Sequence, residues 1–334
     1  MSLTIEFLIF SFGLILLLKG ADYFVDSSSN LAIKLGVSPL FIGLTLVAFG
    51  TSAPEAAVSI QAGIKDSSDI AFGNIVGSNI ANIGLVLGLT ALIMPIRVMK
   101  SSLNKELPFV ILTTLALLFM AFDHFIEGAE VNYLSRSDGI VLLIFFLIFI
   151  EYTFNMALSD RQSNDKSNSS SNENEKAVGS NTRYLLIALV SIAAVVFGGN
   201  LVVRSGINIA RHTGVSEAFI AVTMIALGTS LPELATSLVA LYKKKHEIAL
   251  GNIIGSCVFN ILFVLGLAAT VNPINIDPGF IVDMAFAIAL AVLVFLFALN
   301  WRRSAAEENF INRPQGFVLL MIYVIYISYT VIRL

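Results

Sequence analysis

Runs of roughly 20 apolar residues, each long enough to cross a bilayer as a helix, follow one another along the whole chain with short polar breaks between them. They lie near residues 3–26, 38–64, 69–94, 105–122, 138–158, 183–206, 216–242, 247–271, 279–300 and 315–332. Inside lipid, only helices and closed barrels satisfy their own backbone hydrogen bonds. The pattern predicts an all-α polytopic membrane protein with ten transmembrane helices. One interruption is different. Ser159 to Asn181 is almost wholly polar, cannot bury enough apolar surface to fold alone, and is expected to be a disordered linker. It is too short to hold a regulatory domain.

The polar positions inside the apolar runs repeat. Gly50-Thr51-Ser52-Ala53-Pro54-Glu55 recurs as Gly228-Thr229-Ser230-Leu231-Pro232-Glu233, 178 positions later. The same offset carries Gly73-Asn74-Ile75-Val76-Gly77-Ser78 onto Gly251-Asn252-Ile253-Ile254-Gly255-Ser256, and Asn82 onto Asn260. Between 69–89 and 247–267, 13 of 21 residues are identical without a gap. The chain is a duplication, and its halves are most alike where they are most polar. The expected division is a first repeat at 1–158, the linker at 159–181 and a second repeat at 182–334. With five helices per repeat, an odd number, the second half must enter the membrane upside down. That is the plan of many secondary transporters, whose site lies near mid-membrane where the halves meet.

Composition agrees: 57% of residues are hydrophobic and 13% charged, against about 25% charged in soluble domains, and mean hydropathy is +0.86. The net charge of −3 gives no indication of nucleic acid. A single cysteine, Cys257, excludes an intrachain disulfide and a cysteine-built metal cluster. Met1 to Leu18 lacks a basic start and a cleavage site, and reads as a first spanning helix. The loops expected on one face carry 14 Lys and Arg residues and those on the other carry 5. The basic face is expected to be cytoplasmic. That puts the central loop inside, both termini outside, and the protein in a cell (plasma or inner) membrane as a multi-pass chain.

The candidate chemistry lies in the repeated motifs. Thr51, Ser52 and Glu55 can converge on one side of a helix. Pro54 lacks an N–H, which predicts a freed carbonyl at Gly50 and a broken helix, tolerated in lipid only where it lines a cavity or is re-satisfied. Thr229, Ser230, Pro232 and Glu233 repeat the arrangement. Asn74, Ser78 and Asn82 form one stripe on the next helix, repeated as Asn252, Ser256 and Asn260. Glycines beside both stripes permit close helix packing. Pooled, these residues offer carboxylate, hydroxyl, amide and backbone oxygens, with no imidazole or thiolate obviously placed among them. That set suits hard cations such as Ca2+ or Na+ and disfavours zinc or copper.

Plain packing competes with this reading. Ser, Asn and Gly stripes are common helix seams, and one buried Glu could simply be protonated and hydrogen-bonded. Two costly acids at equivalent places are much harder to explain as packing. Lys19, Asp22 and Asp26 are expected to snorkel or pair near the end of helix 1, and Asp283 lies near an end of helix 9. His124, His212 and His246 fall in or near loops, and Cys257 is expected to pack.

The two Gly-Thr-Ser-x-Pro-Glu segments, each followed by Gly-Asn-x-x-Gly-Ser-x-x-x-Asn, resemble the two alpha repeats of the sodium/calcium exchanger branch of the calcium:cation antiporters, especially its compact prokaryotic members. The likeness covers nearly the whole chain. It implies four cation sites in a diamond between helices 2, 3, 7 and 8, with Glu55 and Glu233 as the main Ca2+ ligands. It implies further ligands at Thr51, Ser52, Thr229, Ser230, Ser78, Ser256 and Asn82, and backbone carbonyls near Ala48 and Ala226 that help hold Na+. One position departs: a prokaryotic exchanger can carry Asp where this chain has Asn260, which lowers the formal site charge from −3 to −2. The family also implies that helices 1 and 6 slide across the four-helix core.

The leading expectation is a secondary antiporter, not an enzyme, that exchanges Ca2+ for Na+ in the bilayer without a cofactor, with a functional monomer expected. A Ca2+ (or other divalent cation)/H+ antiporter using the same two glutamates is the alternative. A channel would usually need oligomeric symmetry or a continuous pore. An intramembrane protease dyad is disfavoured by the proline break and the lack of a nucleophile–base pair.

Overall fold

The computed structural model describes residues 3–122, 128, 131–167, 180–213, 226–299 and 309–333. In chain order the helices are α1 (Leu3–Leu35), α2 (Pro39–Thr51 and Ala53–Ile64), α3 (Ser68–Ile93), α4 (Ser102–Ala121) and α5 (Arg136–Ser167). They continue as α6 (Asn181–His212), α7 (Ala226–Thr229 and Leu231–Tyr242), α8 (His246–Val271), α9 (Phe280–Leu299) and α10 (Arg313–Arg333). Among the described residues, eight helices are long and apolar enough to cross a membrane, or up to nine if the bent α2 pair is one span. The expected helix at 216–242 is described only from Ala226 onward.

Two helices run further than the apolar pattern predicted. α1 was expected to end near 26 and reaches Leu35. The run Ser27-Ser28-Ser29 does not break it, because Ser27 Oγ donates to the carbonyl of Tyr23 at 2.7 Å and the buried face continues through Leu31 and Ala32. α5 was expected to end near 158 and reaches Ser167. No Gly or Pro stands between 159 and 167 to stop it. The helical backbone therefore takes up the first part of the segment read as linker. α6 begins at Asn181, capped by Ser180 Oγ, which accepts from the N–H of Thr182 at 3.2 Å. Residues 168–179 lie outside the described residues.

The fold is also not wholly helical. β1 (Ile96–Val98) pairs antiparallel with β4 (Asn309–Ile311), and β2 (Tyr133–Leu134) with β3 (Ile274–Asn275). Strands this short leave no periodic trace in a sequence. Each pair joins one half of the chain to the other, and the two pairs sit at opposite ends of α4.

The duplication reaches single backbone angles. Asp66 and Lys244, 178 positions apart, both adopt left-handed φ, 60° and 61°. The residue after each closes the turn on the carbonyl five residues back, Ser67 N to Ala62 O and Lys245 N to Ala240 O, both at 2.8 Å.

Two packing features position the site. α3 and α8 are the innermost helices, with 78% and 83% of their apolar windows buried against 22–33% for the other six. The first piece of α2 lies on α8 at backbone distance, because a Cβ on Gly255 would stand 2.6 Å from the Leu44 carbonyl. α1 and α6 run along one another on the outside. A Cβ on Gly198 would meet Leu17 N at 2.6 Å, and one on Gly13 would meet Gly198 O at 3.0 Å.

Candidate cation-binding site

Both glutamate motifs break their helix at a serine. Ser52 has φ −83° and ψ 8°, Ser230 has φ −85° and ψ 2°, and the two pieces of α2 bend by 51°. Pro54 and Pro232 fall in the first turn of the piece that follows, where a missing N–H costs nothing. The carbonyl expected to be freed at Gly50 is instead closed, since N–H groups of the cap donate to Ala48 and Gly50. Proline sits at a helix start here, not in a helix interior.

Glu55 and Glu233 occupy the first turns of these second pieces, facing the positive end of the helix dipole. The Ser-x-x-Glu spacing is that of a capping box, yet neither serine caps its own helix. Ser52 Oγ crosses to the other half and donates to Glu233 Oε1 at 2.8 Å.

Asn74 and Asn252 brace the glutamate helices in the same way in each half. Asn74 Nδ2 donates to Ser59 Oγ at 2.9 Å and to the Glu55 carbonyl at 3.3 Å. Asn252 Nδ2 donates to Ser237 Oγ and to the Glu233 carbonyl at the same two distances, 2.9 and 3.3 Å. Thr51 Oγ1 adds a bond to Asn252 Oδ1 at 2.9 Å. Ser59 and Ser237 were not singled out in the sequence, although they too are 178 apart.

Of the remaining expected residues, Ser256 reaches Glu233 and Ser78 meets Thr229 across the halves. Ser256 Oγ lies 3.4 Å from both Glu233 Oε1 and the Ala48 carbonyl. Ser78 Oγ lies 3.5 Å from Thr229 Oγ1. Asn82 and Asn260 sit in the wider π-type turns Ala81–Leu87 of α3 and Asn260–Leu265 of α8, a distortion common at functional sites. Ala226 opens the described part of α7, one turn before Ser230. Thr51, Ser52, Glu55, Ser78, Asn82, Ser230, Glu233, Ser256 and Asn260 are all buried.

The decisive feature is what these buried groups leave unmade. Both carboxylate oxygens of Glu55, Oε2 of Glu233, both amide atoms of Asn82, Oδ1 of Asn260 and the hydroxyl of Ser230 have no hydrogen-bond partner. Such groups cost free energy in an interior unless something satisfies them. Most are acceptors. No cluster of three or more His, Cys, Asp or Glu stands among the described residues. The donor set is two carboxylates diluted with neutral oxygens, which fits a hard cation.

Other polar residues lie elsewhere. Lys243 Nζ bridges Asp22 and Asp26 of α1, each at 2.7 Å. Asp283 pairs with Arg333 at 3.1 Å. His246 Nδ1 accepts from the Arg97 N–H at 3.5 Å, and His124 lies outside the described residues. Cys257 is buried in the core. Asn79, which the sequence did not mark because its counterpart is Cys257, bonds to α8 through both amide atoms.

The family described as sodium/calcium exchanger protein matches the chain in two stretches, residues 5–155 and 183–332. The chain is 36% identical to the sodium/calcium exchanger MaX1 of Methanosarcina acetivorans, over 97% of this chain and 98% of that protein. It is 37% identical to the inner membrane protein YrbG of Escherichia coli, over 87% of each. Among solved structures it resembles the sodium-calcium exchanger NCX_Mj soaked with 2.5 mM Na+ and 0.1 mM Ca2+, with a TM-score of 0.76 and 32% identity over 97% of this chain and 98% of that one. The same exchanger soaked with 10 mM Na+ and zero Ca2+ gives a TM-score of 0.79 at 32% identity, over 98% and 99%.

Proposed function

The chain belongs to the sodium/calcium exchanger protein family, and we propose from that premise that it is a secondary antiporter exchanging Ca2+ for Na+ across a cell membrane by alternating access. The observation that carries this reading is the pair of buried glutamates. Glu55 and Glu233 come from equivalent points of the two halves and retain unpartnered oxygens. Buried charges without a partner cost several kcal/mol each. One Ca2+ cancels two carboxylates. Na+ ions competing for the same oxygens would do likewise, so that release of one cation requires entry of the other.

The ligands in this reading are Glu55, Glu233, Thr51, Ser52, Thr229, Ser230, Ser78, Asn82, Ser256 and Asn260, with the carbonyls of Ala48 and Ala226. The architecture is ten transmembrane helices in two inverted repeats. The two-fold family match, the recurring serine breaks and the strand pairs at opposite ends of α4 support that plan. One chain carries both glutamates, so a monomer holds a complete site. The polar segment between the halves acts as a cytoplasmic tether.

The test is 45Ca2+ uptake into proteoliposomes with Na+, K+ or pH gradients imposed separately. An outward Na+ gradient should drive uptake, and the K+ and pH gradients should not. Uptake driven by the pH gradient alone would replace this reading with Ca2+/H+ exchange on the same glutamates.

A further inference from the structure

Asn79 of α3 makes two hydrogen bonds to α8. Its Nδ2 donates to the backbone carbonyl of Cys257 at 3.1 Å, and its Oδ1 accepts from Asn260 Nδ2 at 3.1 Å. The first bond has only one possible polarity, because a carbonyl oxygen cannot donate. It fixes which end of the Asn79 amide is which, and so leaves an acceptor facing Asn260. Asn260 must meet that acceptor with its nitrogen and turn its own oxygen the other way. That oxygen is buried without a protein partner. It sits one helical turn past Ser256, whose hydroxyl lies 3.4 Å from Glu233 Oε1.

We propose that Asn79 is a positioning residue which holds the Asn260 amide so that it offers oxygen, not N–H, to the transported cation. The proposal rests on the reading of this site as the cation site with Asn260 among its ligands. A flipped amide would lose a ligand and aim two partly positive hydrogens at a cation. The device is one-sided. The counterpart of Asn79 in the other half is Cys257, and neither amide atom of Asn82 has a hydrogen-bond partner. Helix α3 of the first half thus sets the ligand chemistry of α8 in the second, and the two carboxamides are not equivalent ligands.

The test is Ca2+ binding to the purified full chain by calorimetry in Na+-free buffer, with Na+ competition as a second readout. Asn79→Ala and Asn79→Cys should each weaken Ca2+ binding by about tenfold, the scale of one lost polar interaction to a charge. Asn79→Cys installs the residue the fold already accepts at the equivalent position of the other half, and keeps the comparison available if Asn79→Ala does not fold. The discriminating arm is the Asn260→Asp background. A carboxylate presents oxygen at both ends, so its orientation needs no guide, and the Oδ1 of Asn79 would repel it. Adding Asn79→Ala there should leave Ca2+ affinity unchanged or tighter. An equal penalty in both backgrounds would reduce Asn79 to a packing residue and overturn the proposal. So would unchanged Ca2+ affinity in both Asn79 variants while Asn260→Ala weakens binding. Unchanged affinity in Asn260→Ala itself would instead remove Asn260 from the ligands, and the reading beneath the proposal would fail there.

Discussion

Glu55 and Glu233 are equivalent in sequence and unequal in surroundings. Ser52 and Ser256 both approach Glu233 Oε1, whereas neither oxygen of Glu55 has a geometric partner. Replacing either acid by Gln keeps its size and removes half of the formal charge that faces a dication. Each Glu→Gln variant is expected to abolish Ca2+ transport. Each should also melt no lower than wild type in cation-free buffer, since a buried uncompensated charge is gone. Ca2+ at about 100 times its Kd should add about 2.7 kcal/mol to wild-type stability and nothing to the variants. Thermal melts with and without Ca2+ check this, and near-normal exchange by either variant would sink the assignment. The duplication made the acids, hydroxyls and Asn stripes legible from the sequence. It could not reveal Asn79, because a residue whose counterpart is a cysteine shows no repeat. Nor could it show that Ser52 serves the other half's glutamate, a contact 181 residues away in the chain.

At the scale of elements, apolar runs located the helices but not their ends. A run of three serines, the first of which bonds back to its own helix, looked like the end of α1, and a polar but unbroken stretch looked like the end of α5. The site's helices are fixed by backbone contact: α2 on α8 through Gly255, with α3 and α8 innermost. The outer pair is different, because α1 meets α6 along a seam where Gly13 and Gly198 leave no room for a side chain. In Gly198→Ala the new Cβ would stand 2.6 Å from Leu17 N and 2.8 Å from Gly13 O, backbone atoms that cannot rotate aside. The helices must separate, at the scale of about 1–3 kcal/mol for overpacking. If α1 and α6 slide as a pair, this variant should bind Ca2+ with wild-type affinity, because Gly198 lies outside the ligand set, yet exchange it slowly. Calorimetry and vesicle flux on the same preparation test this. Wild-type turnover would show that the close seam has no part in the motion.

For the whole molecule, the proposed inverted duplication would relate the inward-open and outward-open states by a pseudo-two-fold rotation, so residues that differ between halves would decide which state is favoured. The ion cluster on Lys243 is such a difference. Its counterpart 178 residues earlier is Lys65, and the counterparts of Asp22 and Asp26 are Asn200 and Arg204. At these equivalent positions, only the second half pairs opposite charges between its glutamate helix and an outer helix, at the face with more Lys and Arg. Burial alone would lower the pKa of Lys243, but its bonds to Asp22 and Asp26 and their charges outweigh that and hold the ammonium above its usual range. A lysine raised in the folded state gives up its contribution only as pH climbs through that raised value, so the tie stays intact across neutral pH. Its strength is limited. Lys243 is 21% exposed and its partners 40% and 54%, and such pairs contribute about 0.2–1 kcal/mol each. Lys243→Gln should therefore shift the balance of states by a few fold and not lock it. In right-side-out and inside-out vesicles the Ca2+ KM should move in opposite directions on the two faces, while the Na+ dependence is kept. The shift should shrink in high salt, where exposed pairs are screened. Equal KM changes on both faces would mean that the tie acts on binding itself, and the bias between states would have to come from another difference between the halves.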